Sequence, residues 1–179
     1  MKIGLVRHFP LHQPFLKGWV TQTEVLQWFD EYSMAPVQKM HLDLTADWHG
    51  CFTSQLPRAV ATANTIFSGT IVQTEMLNEP HPRAIFQTNI KMPFLLWDMV
   101  LRWAIKRNHP SQPHGKMLIE KHIQVLLQRL FYEEKNVLIV IHAITMEILS
   151  DYLIKHGFKG KKLSNPKNGI LYLYEKKIN

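Results

Sequence analysis

The chain has 179 residues, 46% of them hydrophobic and 20% charged, which suits one globular domain with a sizeable core. One cysteine, Cys51, excludes an intrachain disulfide framework, and the formal charge of +7 is compatible with anionic ligands without identifying one. The apolar run at the N-terminus is only four residues long before Arg7 and His8 interrupt it, which does not read as a signal peptide; the apolar stretch 93–100 contains Asp98 and is too short to span a bilayer. A cytoplasmic protein with no membrane partner is the expectation.

Residues 2–6 read as a first, central strand, followed by a loop over 9–20 that holds Pro10, Pro14 and Gly18. Thr21 or Thr23 is placed to cap a helix running to about Tyr32. Residues 34–50 carry no clear period, and a short strand ends at Thr53. Leu56 to Phe67 reads as a helix with Pro57 in its first turn, and 70–74 as a strand. Prolines punctuate 80–115, within which 94–106 reads as a helix. Residues 116–132 are amphipathic, and 137–141 (Val-Leu-Ile-Val-Ile) read as a buried parallel strand. A helix over 144–155 and a last edge strand over 170–174 complete the pattern. Strands alternating with helices predict an α/β protein, a three-layer α/β/α sandwich with a mostly parallel central sheet. The whole chain reads as one domain, with a helical and irregular insertion at about 80–132.

Three apolar strands run directly into polar residues: Arg7-His8, Ser54 with Arg58 one turn later, and His142. Ligands of open α/β sheets bind outside the carboxyl ends of the strands, so these side chains are candidates for one site. Arginine forks match phosphoryl oxygens in pairs, and a neutral histidine can act as a nucleophile. Taken singly, Arg7 reads as a surface cation, His8 as a core histidine, Ser54 as a helix N-cap and Glu79 as a loop acid. Two histidines could also be metal ligands, but no dense His/Cys/Asp cluster supplies a third, and no metal or other cofactor is expected.

Together these segments resemble the histidine phosphatase superfamily, which includes the cofactor-dependent phosphoglycerate mutases. Residues 5–10 read LVRHFP where the family opens with strand-Arg-His-Gly. Residues 54–63 read SQLPRAVATA and match the family's Ser-x-x-x-Arg-Ala-x-x-Thr-Ala throughout. Residues 138–145 read LIVIHAIT where the family has an apolar strand and Ser-His-Gly, and Leu77-Asn78-Glu79 fits the family's Leu-x-Glu. Phe9, Ile141 and Ala143 depart from that pattern. The resemblance implies His8 as nucleophile, Glu79 as proton donor and acceptor, and Arg7, Arg58 and His142 as the phosphate pocket, with Glu75 and Asp98 as rivals for the acid. Phe9 is expected to narrow the mouth, with Ser54, His12, His81 and Arg83 near the rim.

The expected activity is a metal-independent phosphoric monoester hydrolase of histidine acid phosphatase type, acting on a small phosphorylated metabolite. A phosphoglycerate-type mutase and a catalytically weak phospho-ligand-binding relative are the alternatives; the chain is shorter than those mutases and lacks a match to their substrate loop. Nucleic acid is not an expected partner, although Trp97, Trp103, Lys106 and Arg107 mix rings with cations. The segment 92–103 could serve as core, lid or homodimer face.

Overall fold

Val137–Ile141 is β-branched, apolar and buried on both faces, and it becomes the middle of the sheet. The computed structural model describes residues 1–44 and 46–177. Its elements are β1 (Lys2–Arg7), β2 (Trp19–Thr21), α1 (Gln22–Met34), β3 (Gly50–Thr53), α2 (Pro57–Ile66), β4 (Ile71–Gln73), β5 (Lys91–Pro93), α3 (Phe94–Lys106), α4 (Lys116–Glu133), β6 (Val137–Ile141), α5 (Ala143–Lys155) and β7 (Leu171–Glu175). The five-stranded sheet runs β4-β3-β6-β1-β7, with the first four strands parallel and β7 antiparallel at the edge. β6 is therefore the central strand, not β1, which carries β7 on its other side.

Strand alternation divides the core. Ile3, Leu5, Val137, Ile139 and Ile141 face α4 and α5, where Ile123, Leu127, Leu130 and Leu149 meet them. Val6, Leu138 and Val140 face α2, meeting Ala59 and Ala63, with Leu42, Leu44 and Trp48 alongside. This is the α/β/α sandwich with a mostly parallel sheet expected from the sequence. Gly4 faces the second layer because Trp48 lies across it: a Cβ there would stand 2.6 Å from the indole and 2.9 Å from Leu171.

A third cluster forms a separate lobe. Thr21 caps α1 through a capping box with Glu24, whose carboxylate accepts the Thr21 N–H at 2.7 Å. β2 and β5 pair antiparallel, Trp19 opposite Pro93, and Val20, Val25, Trp28, Phe94, Trp97 and Leu101 pack between α1 and α3. Trp97, fully buried, donates its indole N–H to the Val20 carbonyl at 2.9 Å. Three-residue strands held by a distant partner give no alternation long enough to read, which is why β2 and β5 have no counterpart in the sequence analysis. No helix among the described residues is long and apolar enough to cross a membrane.

Gly4→Ala is expected to lower the unfolding free energy by about 1–3 kcal/mol through overpacking against Trp48. Urea unfolding followed by tryptophan fluorescence measures this, and an unchanged midpoint would contradict the close approach.

Candidate active site

His8 stands one residue past β1 and is fixed from several sides. Its N–H donates to the Ile141 carbonyl of β6 at 3.0 Å, its carbonyl accepts from Asn168 Nδ2 at 2.7 Å, and the next N–H, of Phe9, donates to Thr62 Oγ1 at 2.9 Å. The imidazole Nδ1 lies 2.7 Å from the Phe9 carbonyl. A carbonyl only accepts, so Nδ1 carries the proton and Nε2 keeps a free lone pair. Burial, then the Arg58 charge, push the pKa down to about 3; the Phe9 carbonyl pulls the other way, and Arg7 adds to the lowering. The ring is therefore neutral at physiological pH.

His142 follows β6 as the N-cap residue of α5 and is fully buried. Arg58 donates its Nε–H to His142 Nδ1 at 3.2 Å, and Ser54 Oγ lies 2.6 Å from His142 Nε2. Arginine always donates, so Nδ1 accepts, and the single ring proton sits on Nε2 and is given to Ser54. Burial, followed by the charge of Arg58, holds His142 well below the ordinary histidine pKa. Both ring nitrogens are engaged, and a phosphoryl oxygen would have to displace Ser54 Oγ to receive the Nε2 proton. The His8 and His142 ring centres are 5.2 Å apart.

Arg58 enters the site from the first turn of α2. Its guanidinium also lies 5.4 Å from the Tyr32 ring centre, and Nη2 lies 3.9 Å from Glu79 Oε2. Glu79 arrives after β4 and a 3-10 turn, Glu75–Leu77, anchored by buried Leu77. Its Oε1 accepts the Ile144 N–H at 2.8 Å, so the carboxylate sits on the first turn of α5, where the helix dipole favours an anion. Arg7 gives one Nη1 hydrogen bond, 2.8 Å, to the Pro166 carbonyl. Arg7 Nε and Arg58 Nη1 are buried and have no hydrogen-bond partner in the protein. Two unmet cationic donors in one site present the demand that anionic oxygens satisfy.

Above these groups lies a cavity of about 550 Å³ between the sheet ends and the α1–α3 lobe. Arg7, Arg58, Tyr32 and Glu79 line it, while His8 lies just beneath, 1% exposed, with the Tyr32 ring centre 6.3 Å away edge-on.

The rim residues fall differently from the sequence expectation. Phe9 is fully buried and lines nothing; its ring fills the room beside Gly169, whose φ is +64° and whose Cβ would stand 3.1 Å away. Ser54 lies below the cavity against His142 and accepts the Leu56 N–H at 3.3 Å; Leu56 is the N-cap of α2. His12 and Arg83 are exposed outside the lining, the latter with its backbone held by Gln112. His81 does line the cavity, its Nε2 3.2 Å from Asp30. Of the rival acids, Glu75 is exposed outside the cavity, and Asp98 lines it but is bound to Arg102 at 2.8 Å. Tyr32 and Asn168 escaped the sequence reading. The four-residue spacing of Trp28 and Tyr32 on one face of α1 was the available signal for the first; no signal marked the second. Among the described residues, no group of three or more His, Cys, Asp or Glu is placed to hold a metal ion.

The buried histidines set a pH dependence. The unfolded chain takes up protons below the ordinary value of 6.5, whereas folded His8 and His142 stay neutral well below it. Their stability contribution is present above that pH and is lost as the pH falls. Between about pH 7.5 and 5, each histidine is expected to remove about 2 kcal/mol of unfolding free energy, and His8→Asn to halve the combined slope. Urea unfolding at stepped pH tests this; equal slopes in the variant and the wild type would refute it.

No family model matches the sequence, nor does any curated protein. Solved structures do match. A phosphoglycerate mutase from Bacillus anthracis aligns over 96% of this chain and 86% of its own, with TM-score 0.57 and 15% identity. The alpha-ribazole phosphatase from Shigella flexneri covers 86% and 80%, at TM-score 0.50 and 20% identity. A mycobacterial glucosyl-3-phosphoglycerate phosphatase covers 86% and 79%, at 0.50 and 15%. All three are members of the histidine phosphatase superfamily. The protein thus has the phosphoglycerate mutase-like fold that these phosphatases and mutases share.

Proposed function

We propose that the chain is a metal-independent phosphomonoester phosphatase working through a phosphohistidine. The carrying observation is the tautomer of His8. A carbonyl holds the Nδ1 proton, and Nε2 is left unprotonated beside two guanidinium groups with unmet donors. His8 Nε2 attacks phosphorus, forming an N–P bond as the P–O bond to the alcohol breaks. Arg7 and Arg58 supply the positive charge that the transferring oxygens need, a role in which a metal ion would be redundant. His142, as a neutral acceptor, aims Arg58 and can give its Nε2 proton to a phosphoryl oxygen once Ser54 is displaced. Glu79, a carboxylate at rest, passes the proton of the substrate monoanion to the departing alkoxide, then takes one from the water that attacks the phosphohistidine and hands it to the released phosphate, restoring Glu79 and His8. The sequence motifs and the shared fold support this reading alongside the geometry.

Hydrolysis of p-nitrophenyl phosphate from about pH 5 to 8, with chelator present, tests it. His8→Ala is expected to lose about 10³-fold or more of the rate. Retained turnover in that variant, or loss on chelation in the wild type, would remove the mechanism. The acid is tested by leaving group. Glu79→Gln is expected to slow an alkyl phosphate by about 10²–10⁴-fold, and p-nitrophenyl phosphate by less, because p-nitrophenolate departs without a proton. Equal slowing of bond cleavage in both, read as the burst of the first turnover, would assign the proton transfer elsewhere.

A further inference from the structure

Resting on the phosphatase reading above, we infer that the substrate is the phosphate ester of an uncharged alcohol with a bulky apolar body. The cavity beyond the phosphate end is walled by rings: Phe15, Trp28, Phe29, Tyr32 and Phe94 all line it. They hold one another in place, with Trp28 stacked on Tyr32 at 4.8 Å and on Phe15 at 5.7 Å, and Phe94 edge-on to Trp28 at 4.7 Å. Such a wall is formed before any ligand arrives, and the volume of about 550 Å³ accommodates a two-ring body.

Charge accounting weighs against a second anionic group. Apart from Arg7 and Arg58, the basic side chains of the lining are Arg102 and His81. Arg102 Nε sits 2.8–2.9 Å from both Asp98 oxygens, and His81 faces Asp30. Both thus face a carboxylate, so neither offers an uncompensated charge to a carboxylate or a second phosphate, and Glu79 and Asp98 repel one. Several neutral polar groups are occupied: Gln13 donates to Glu31, Ser33 to the Phe29 carbonyl, the Trp28 indole to the Pro14 carbonyl and Asn168 Nδ2 to the His8 carbonyl, which leaves the Tyr32 hydroxyl, the Asn165 side chain and Asn168 Oδ1 open. Against these few, five rings line the same cavity, so an apolar alcohol finds more contact here than a polyhydroxy one. At the mouth, Phe15 and Leu95 are 64% and 68% exposed, apolar surface that such a ligand removes from water.

The test compares esters with one leaving-group type: ethyl, octyl and 2-(1-naphthyl)ethyl phosphate, against 3-phosphoglycerate. Expected is a rise in kcat/KM of about fourfold per buried methylene, and a naphthylethyl-to-ethyl ratio of about 100 or more. Phe15→Ser, at an exposed position, is expected to narrow that ratio several-fold. The same esters are titrated calorimetrically into His8→Ala, where binding is read without turnover and the order of affinities should be the same. Hydrolysis with equal rates across the alkyl series, or with 3-phosphoglycerate preferred, overturns the apolar-alcohol inference and leaves the phosphatase reading in place. Selective binding of naphthylethyl phosphate without hydrolysis in the wild type upholds the inference and removes the phosphatase reading. Failure of every ester to bind removes both.

Discussion

A buried guanidinium with a neutral imidazole as its acceptor is the constraint on which this structure turns. Arg58 is 5% exposed, and a cation so placed costs more with every donor left unmet. His142 meets one of them with Nδ1, which forces its proton to Nε2 and from there onto Ser54. One hydrogen bond thereby joins α2 to the junction of β6 and α5 and determines the orientation of three side chains. Glu79 stands on the far side of the same guanidinium, tied to the α5 amide. Charge on His142 would break the chain of contacts at its centre, so the low basicity of that ring is structural as much as chemical.

The sheet gathers these groups. In a parallel arrangement, β1, β3 and β6 end on the same side, and their next residues bring His8, Ser54 and His142 together from points far apart in the chain. Backbone hydrogen bonds continue past the strand ends, from His8 to Ile141 and from Ser54 to Val140, so the site inherits the register of the sheet. The α1–α3 lobe contributes no strand to that sheet. It has its own small core, and it faces the site with rings where the sheet faces it with charge. Anion recognition and recognition of the remainder of a ligand thus belong to different parts of the fold.

Two segments could be read residue by residue: the Trp- and Leu-rich 94–106 and the uniformly buried 137–141 are the helix and strand that were expected. The strand ends sufficed to bring Arg7, His8, Arg58 and His142 into one neighbourhood, while Glu79 entered only through the family's Leu-x-Glu pattern. Burial partners were not legible. That Phe9 turns inward depends on a glycine 160 positions later (169 minus 9), and nothing local to residue 9 records it. Tyr32 reads as the end of a helix until the lobe is folded against the sheet. β1 read as central because it is apolar and first, but its relation to β6 and β7 is decided by pairing across most of the chain.

Phe9 and Gly169 occupy a single volume. The phenyl ring takes the space that a side chain at 169 would need, and the Gly169 N–H donates to the Arg7 carbonyl at 2.9 Å, so the loop that carries the glycine is fastened to the start of the site. The two positions constrain each other. A large residue after the histidine demands glycine at the facing loop position, and the φ of +64° and Met40 Sδ, 3.1 Å from the same point, demand it independently. Shrinking Phe9 therefore opens a void directly behind His8 without freeing that loop to carry a side chain, and enlarging residue 169 sets a clash there.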